Sequence, residues 1–149
     1  LTEELPDGDY ICALDQADLV QEGSDVTILT YSRMRHHCLK AVEQLEADGI
    51  SVELIDLISL KPFDMETVAK SIRKTHRVIV VEECMKTGGI GAELIALITE
   101  HCFDDLDARP IRLSSQDIPT PYNGNLENLT IIQPHQIVET AQTIVRKGL

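Results

Sequence analysis

The clearest candidate for chemistry in this sequence is a glycine-rich turn, EECMKTGGIGAE, at residues 82–93. It lies between two apolar segments, where a strand is expected to turn into a helix. Backbone amides at the start of such a helix point toward a bound anion, and the helix dipole favours negative charge there. The turn could therefore cradle a phosphate group.

The spacing of the glycines argues against a nucleotide site. Gly88, Gly89 and Gly91 form a GGxG pattern, whereas dinucleotide sites use GxGxxG and the phosphate loop of nucleoside triphosphatases uses GxxxxGK followed by Ser or Thr. Lys86 precedes the glycines instead of following them, and the two glutamates at 82–83 would repel a phosphate. We favour a structural interpretation, in which glycine permits a tight turn and a close approach of helix and strand.

Two other groups of polar residues suggest chemistry, and each has a simpler structural interpretation. His36, His37 and Cys38 are adjacent, but neighbours on a helix point about 100° apart and do not converge on one metal ion. Ser32 follows a predicted strand, yet the GxSxG motif of a nucleophilic serine is missing. A helix N-cap is the better interpretation of Ser32.

Acidic residues are predicted at the ends of neighbouring strands. Asp56 and the pair Glu82–Glu83 could form an acid pair with shifted pKa values, as catalytic sites often do. Exposed or hydrogen-bonded carboxylates are the simpler alternative. Taken alone, these residues assemble no catalytic, cofactor-binding or metal site.

The elements that must position these residues alternate between strands and helices. The apolar patterns predict strands at 26–31, 52–57, 78–81 and 111–113, and helices at 34–48, after Pro62 and Asp64, at 92–102, and from Pro134 to Gly148. Such alternation predicts a parallel sheet that is covered by helices on both faces. Apolar runs without a polar alternation agree with strands buried on both sides.

Two stretches fall outside this alternation. Residues 1–25 are rich in acids and contain no Lys or Arg, which predicts a solvated arm or linker with one short edge strand around residues 17–20. Residues 26–149 then form one domain. The stretch 114–134 is rich in Asp, Asn, Pro and Gly, and it is predicted to be a long ordered loop. Because the chain begins with Leu1 and no secretion signal follows, we expect a piece of a longer protein.

The composition disfavours several classes of partner. The 149 residues carry a formal net charge of −12, and Lys and Arg are spread singly along the chain. This charge repels nucleic acids and anionic membranes, so a basic protein is the better-matched partner. No apolar run approaches the roughly 20 residues that cross a bilayer. The four cysteines lie far apart without a CxxC pair, which predicts buried thiols in a reducing compartment; they are Cys12, Cys38, Cys84 and Cys102.

Four stretches together resemble one known family. They are DVTILTYSRMRHHCLKAVEQL, KPFDMETVAKSIRKTHRVIVVEECMKTGGIGAEL, FDDLDARPIRLSSQDIPTPYNGNLE and IIQPHQIVETA. The family is the β subunit of thiamine-diphosphate-dependent pyruvate dehydrogenases, and the resemblance is to its C-terminal domain, a type shared with transketolases. It covers essentially the whole chain, and it looks most like the cyanobacterial and plastid form.

The resemblance implies a fold and a role for the parent enzyme. The fold is a three-layer α/β/α sandwich with a mostly parallel five-stranded sheet and one antiparallel edge strand. The parent enzyme, in the cytoplasm of cyanobacteria or the plastid stroma, decarboxylates pyruvate oxidatively and transfers the acetyl group to a lipoyl group. Thiamine diphosphate, magnesium and the catalytic histidines belong to the α subunit and to the N-terminal domain of the β subunit. None of these is expected in this chain.

The partners that the resemblance implies are the α subunit, the second β subunit of the heterotetramer and the subunit-binding domain of the dihydrolipoyl acyltransferase. In that family, an Asp and the terminal carboxylate face basic residues of the subunit-binding domain, and the corresponding residues here are Asp107 and Leu149. Relatives commonly have Pro directly after the LDA stretch, whereas this chain has Arg109, which could pair with Asp107. The rival hypothesis is a small-ligand-binding regulatory module that uses the crevice near Ser32 and residues 88–91.

Overall fold

The protein, for which we obtained a computed structural model, is described over residues 7–147. Strands and helices alternate through most of this range. In chain order, the elements are β1 (Asp18–Gln21), β2 (Val26–Thr30), α1 (Met34–Ala47), β3 (Val52–Asp56), α2 (Met65–Thr75), β4 (Val78–Met85), α3 (Ile90–Cys102), a 3-10 turn (Phe103–Asp105), β5 (Ile111–Ser115), α4 (Gly124–Thr130) and α5 (Pro134–Lys147).

The strands form one mixed sheet in the order β1-β3-β2-β4-β5. The pairs β2–β3, β2–β4 and β4–β5 are parallel, and only β1 runs antiparallel to its neighbour β3 among the described strands. The predicted sheet, with its single antiparallel edge strand, is therefore confirmed. The observed edge strand begins one residue later than the predicted one.

Helices cover both faces of the sheet and divide the core into two apolar clusters. Val26 and Ile28 of β2 pack with residues of α1 and α5, whereas Leu29 packs with residues of α2 and α3. Successive side chains of a strand point to opposite faces, so a central strand between two helical layers must be apolar on both. The three-layer sandwich is confirmed. None of the described helices has the length and apolar character needed to cross a membrane.

The predicted loop at 114–134 contains a helix that sequence analysis missed. In α4, the side chain of the N-cap residue Asn123 accepts hydrogen bonds from the backbone N–H groups of Asn125, at 3.0 Å, and Leu126, at 3.3 Å. Asparagine is a favoured N-cap because its oxygen satisfies these otherwise unpaired donors. The composition typical of a loop concealed this helix start.

The helices α2 and α1 differ in how their first turns are capped. α2 begins after Pro62 and Asp64, as predicted, and Asp64 is its N-cap, accepting a hydrogen bond from the backbone N–H of Thr67 at 3.0 Å. The prediction for Ser32 is wrong, because Arg33 occupies the N-cap position of α1 and no side chain caps that helix. Ser32 has φ 55° and its carbonyl accepts a hydrogen bond from the N–H of Arg35. The backbone turn, instead of the hydroxyl, starts the helix.

The cysteines are not all buried. Cys38 and Cys102 lie in the two core clusters, as predicted. Cys12 and Cys84 are exposed, so the prediction is wrong for these two. Cys12 lies in the acidic stretch before β1, and Cys84 lies where β4 extends past its buried part. The reducing compartment stays a prediction.

Candidate functional site

The carboxyl edge of the sheet is organised around one fully buried acid, Glu82 of β4. Its carboxylate accepts hydrogen bonds from the N–H of Gly91 at 2.8 Å and from the hydroxyl of Ser114 at 2.7 Å. The Tyr31 hydroxyl lies 3.4 Å away, and burial raises the pKa of this phenol above its ordinary value, so it remains a donor. The guanidinium of Arg112 approaches to 4.0 Å.

The arrangement of these residues disfavours phosphate binding at the glycine turn. The N-cap of α3 is Gly89, which has no side chain to satisfy the first amides of the helix. The carboxylate of Glu82 reaches the amide of Gly91 instead. Negative charge at a helix N-terminus is stabilised by the helix dipole. An internal anion therefore occupies the position that a phosphate would take.

The glycines are required by close packing, as the sequence predicted. A Cβ atom on Gly91 would lie 2.4 Å from Oε1 of Glu82, and one on Gly89 would lie 2.6 Å from the carbonyl oxygen of Met85. Real Cβ atoms do not approach other atoms this closely. Gly88 has φ +80°, a region that other residues rarely adopt. The structural interpretation of the turn is confirmed.

Arg33 connects the sheet edge to α4. Its Nη1 atom lies 3.1 Å from Oε1 of Glu83 and 3.1 Å from Oε1 of Glu127. Its Nη2 atom donates to the side-chain oxygen of Asn128 at 3.3 Å. The guanidinium of Arg33 thus links a carboxylate of β4 to one of α4, although Arg33 and Glu127 are 94 residues apart in the sequence.

The hypothetical acid pair between Asp56 and residues 82–83 does not form. Strand β2 separates β3, which carries Asp56, from β4. Asp56 accepts a hydrogen bond from the N–H of Ile58 at 3.2 Å and lies 3.4 Å from Nε of Arg35. Burial raises the pKa of Asp56, and these two partners oppose the shift. Hydrogen-bonded carboxylates, the simpler alternative, describe both strand ends.

The adjacent residues His36, His37 and Cys38 do not assemble into a metal site. The Nδ1 atom of His37 lies 2.9 Å from the carbonyl oxygen of Ile132, and burial lowers the pKa of this histidine. Cys38 points into the core, where burial raises the pKa of its thiol to about 12. Over residues 7–147, no group of three or more His, Cys, Asp or Glu residues is placed to hold a metal ion.

A cavity of about 350 Å³ opens beside the glycine turn. Gly88 and Gly89 line it together with Met85, Ser115, Ile118 and Glu127, whereas Ser32 is not among the described lining residues. The Ser115 hydroxyl is buried and has no hydrogen-bond partner within the described part of the chain. Glu83 also lines the cavity, and no Lys or Arg does so among residues 7–147. Because Arg33 already pairs with both lining glutamates, Glu83 and Glu127, the lining offers no unpaired charge to a ligand.

Asp107 lies at the opposite, amino edge of the sheet. Its side chain is 61% exposed, and its backbone N–H donates to the carbonyl of His76 at 2.9 Å. Within residues 7–147, its ion-pair partner is Arg77, with Nη2 and Oδ2 3.9 Å apart, and not the exposed Arg109. Most of the carboxylate remains accessible. Leu149 lies outside the described residues.

Comparisons with known proteins identify the domain. Residues 15–137 match the family described as transketolase, C-terminal domain. The pyruvate dehydrogenase E1 component subunit beta of Porphyra purpurea is 61% identical over 148 residues, which are 99% of this chain and 45% of that protein. The chloroplastic subunit beta-2 of Arabidopsis thaliana is 54% identical over 97% of this chain and 36% of its own length.

A solved structure agrees with this assignment. The inactive β4 tetramer of a split-gene transketolase superposes with a TM-score of 0.80 at 26% identity, over 96% of this chain and 46% of that one. The chain spans less than half the length of these relatives. It belongs to the transketolase C-terminal domain family and is similar, over nearly its whole length, to pyruvate dehydrogenase E1 beta subunits.

Proposed function

We propose that this chain is the C-terminal assembly domain of a pyruvate dehydrogenase β subunit from a plastid or a cyanobacterium. The complete enzyme would decarboxylate pyruvate oxidatively on thiamine diphosphate with magnesium, and would pass the acetyl group to lipoyl groups of the acyltransferase. The observation that carries the proposal is the 61% identity to a subunit of that name over 99% of this chain.

The described residues do not fit thiamine diphosphate, which supports a non-catalytic role for this domain. A diphosphate would require donors or cations, yet the helix N-terminus at the glycine turn already holds Glu82. The adjoining cavity has no Lys or Arg among its described lining residues to hold a diphosphate, and its two glutamates, Glu83 and Glu127, are already paired with Arg33. In the assembled parent enzyme, thiamine diphosphate would be bound by residues outside this chain, and those residues would carry out the chemical steps.

The test compares the complete β subunit with this chain. Co-produced with its α subunit and given thiamine diphosphate and magnesium, the complete subunit should decarboxylate pyruvate, measured as reduction of an artificial electron acceptor. The 149-residue chain alone should give no activity, and calorimetry should detect no binding of thiamine diphosphate. Tight binding to this chain alone would contradict the non-catalytic role, and an inactive assembled enzyme would contradict the proposed parent activity.

Docking to the subunit-binding domain of the acyltransferase is the second part of the proposal. The exposed carboxylate of Asp107 supports it, because a basic partner could reach it past Arg77. In the complete heterotetramer, Asp107→Asn should weaken binding of the subunit-binding domain about tenfold at low salt, and less at high salt, because a charge pair across an interface is lost. Isothermal titration calorimetry at two salt concentrations measures both effects.

Asp104→Asn is the matched control for docking. Asp104 is also exposed and lies three residues earlier, so it changes the net charge equally. We expect Asp104→Asn to change the affinity less than twofold. Equal affinities for wild type and Asp107→Asn, with the same salt dependence, would remove Asp107 from the docking surface.

A second candidate function is binding of a small ligand in the cavity beside residues 88–91. The unpartnered hydroxyl of Ser115 is the observation that favours it. Because its two glutamates are already paired with Arg33, the lining is best matched by an uncharged molecule; the test therefore uses uncharged molecules. A thermal-shift screen of the chain with such molecules would distinguish ligand binding from a purely structural role.

A further inference from the structure

A cavity of about 540 Å³ lies between the edge of the sheet and helix α2. Lys70 and Lys74 of α2 line one side of it, whereas Glu53 of β3 and Glu22, which follows β1, line the other. It shares no described lining residue with the cavity beside the glycine turn. Its volume falls within the roughly 300–1,000 Å³ that small-molecule sites occupy. The cavity is therefore large enough for a small ligand.

Glu53 is the buried acid of this cavity, with only 4% of its side chain exposed. Its Oε2 atom accepts a hydrogen bond from the backbone N–H of Gly23 at 3.2 Å and also contacts Nζ of Lys74. Its Oε1 atom accepts no hydrogen bond from the residues that the structure describes. Buried polar atoms normally have partners, because taking them out of water is costly. A ligand in the cavity could supply the missing donor.

Two unpaired charges of opposite sign also line the cavity. Lys74 already pairs with Glu53. Lys70 and Glu22 are both exposed, and neither has an ion-pair partner within residues 7–147. A purely anionic ligand would meet Glu22, and a purely cationic one would meet Lys70, so each would be repelled on one side. A molecule that carries both an ammonium group and a carboxylate can pair with both sides.

The floor of the cavity is apolar. Leu19 of β1 lies directly opposite Ile55 of β3 in the sheet register, and both side chains line the cavity. Ile55 is fully buried, but Leu19 is 42% exposed. Ala17 lies beside them. An aliphatic group on the ligand would cover Leu19, and removing apolar surface from water is favourable.

Hydrogen bonds fix the two sides of the cavity relative to each other. The backbone N–H of Ala17 donates to Oδ2 of Asp64, the N-cap of α2, at 2.9 Å. The hydroxyl of Ser71, which lines the cavity, lies 2.6 Å from the hydroxyl of Thr27 in β2. A site that is ordered before binding loses less conformational entropy when a ligand arrives.

We propose that this cavity binds a free amino acid with an aliphatic side chain. The ammonium group donates to Oε1 of Glu53 and faces Glu22, the carboxylate pairs with Lys70, and the side chain covers Leu19. The inference goes beyond the proposed function, because it assigns a ligand to a part of the domain that takes no part in pyruvate decarboxylation. It also differs from docking at Asp107, which does not line this cavity.

The experiment uses the complete β subunit co-produced with its α subunit and L-leucine as the probe. Equilibrium dialysis with labelled leucine should show saturable binding. Two analogues test the two charges, because 3-methylbutylamine lacks the carboxylate and 4-methylpentanoate lacks the ammonium group. Each should compete about tenfold more weakly than unlabelled leucine, since each loses one charged contact. No saturable binding at millimolar leucine would overturn the inference, and so would an analogue that competes as well as leucine.

Lys70→Gln tests where leucine binds, and it should weaken binding about tenfold. Lys40→Gln is the matched control, because Lys40 is also an exposed helical lysine but lies on α1, which covers the opposite face of the sheet. Its affinity should stay within about twofold of the wild-type value. Circular dichroism should give similar thermal midpoints for both variants, since both lysines are exposed.

Equal affinities of Lys70→Gln and Lys40→Gln for leucine would place the bound leucine elsewhere, and the inference would fail. Dialysis measures binding without pyruvate turnover. An assembled enzyme that binds leucine through Lys70 but does not decarboxylate pyruvate would therefore contradict the proposed function and support this inference.

Discussion

Gly91→Ala should destabilise this chain by about 3 kcal/mol, although it adds a single methyl group. The new Cβ atom would lie 2.4 Å from Oε1 and 2.7 Å from Cδ of Glu82, and 2.8 Å from Cδ of Arg112. Glu82 is fully buried and hydrogen-bonded, so it cannot move aside without losing its bonds to Gly91 and Ser114. The steric clash and the loss of the acceptor for the Gly91 and Ser114 donors therefore both lower the free energy of unfolding.

Urea unfolding followed by circular dichroism measures this loss, and the thermal midpoint should fall by about 6–12 °C. Gly124→Ala is the matched control, because a Cβ atom there meets nothing within 4 Å and Gly124 is the first residue of a helix. We expect this control to be neutral or slightly stabilising. An unfolding midpoint for Gly91→Ala equal to that of the control would mean that helix α3 does not approach β4 as closely as described.

The layered fold was predictable because its signals are local. Val78–Met85 begins with a run of buried apolar residues, and the helices α1, α2 and α5 each have one apolar face toward the sheet. These patterns depend only on which side chains must leave water. The structural role of Gly88, Gly89 and Gly91 also followed from local spacing, since GGxG matches neither phosphate-binding pattern.

The contacts at the sheet edge were not predictable, because they join distant parts of the chain. Nothing local indicates that Glu82 turns inward to cap α3, or that Arg33 holds Glu127. The sequence did contain one usable signal for α4. Asn123, a favoured N-cap residue, is followed by Glu127 in the first turn of the helix. The neighbouring Pro, Gly and Asn residues made the stretch look like a loop.

Glu82→Leu should destabilise the chain by about 3 kcal/mol, because it removes a buried acceptor without removing its donors. The N–H of Gly91 and the hydroxyl of Ser114 would stay buried without their partner, and Arg112 would lose the nearby negative charge. Glu82→Gln keeps the shape and one acceptor oxygen, so it should cost less, about 1–2 kcal/mol.

Glu83→Gln is the adjacent control, since Glu83 is 38% exposed and its ion pair with Arg33 is partly screened by water. We expect a loss below about 1 kcal/mol for it. Hydrogen exchange adds a second measurement, because the amide of Gly91 should lose protection in Glu82→Leu but keep it in Glu83→Gln. If both glutamate variants unfold alike, the Glu82 carboxylate is not the cap of α3. Residues in contact are coupled energetically, so their effects on the free energy of unfolding do not add. We therefore expect Gly91→Ala to cost less in the Glu82→Leu background than in the wild type.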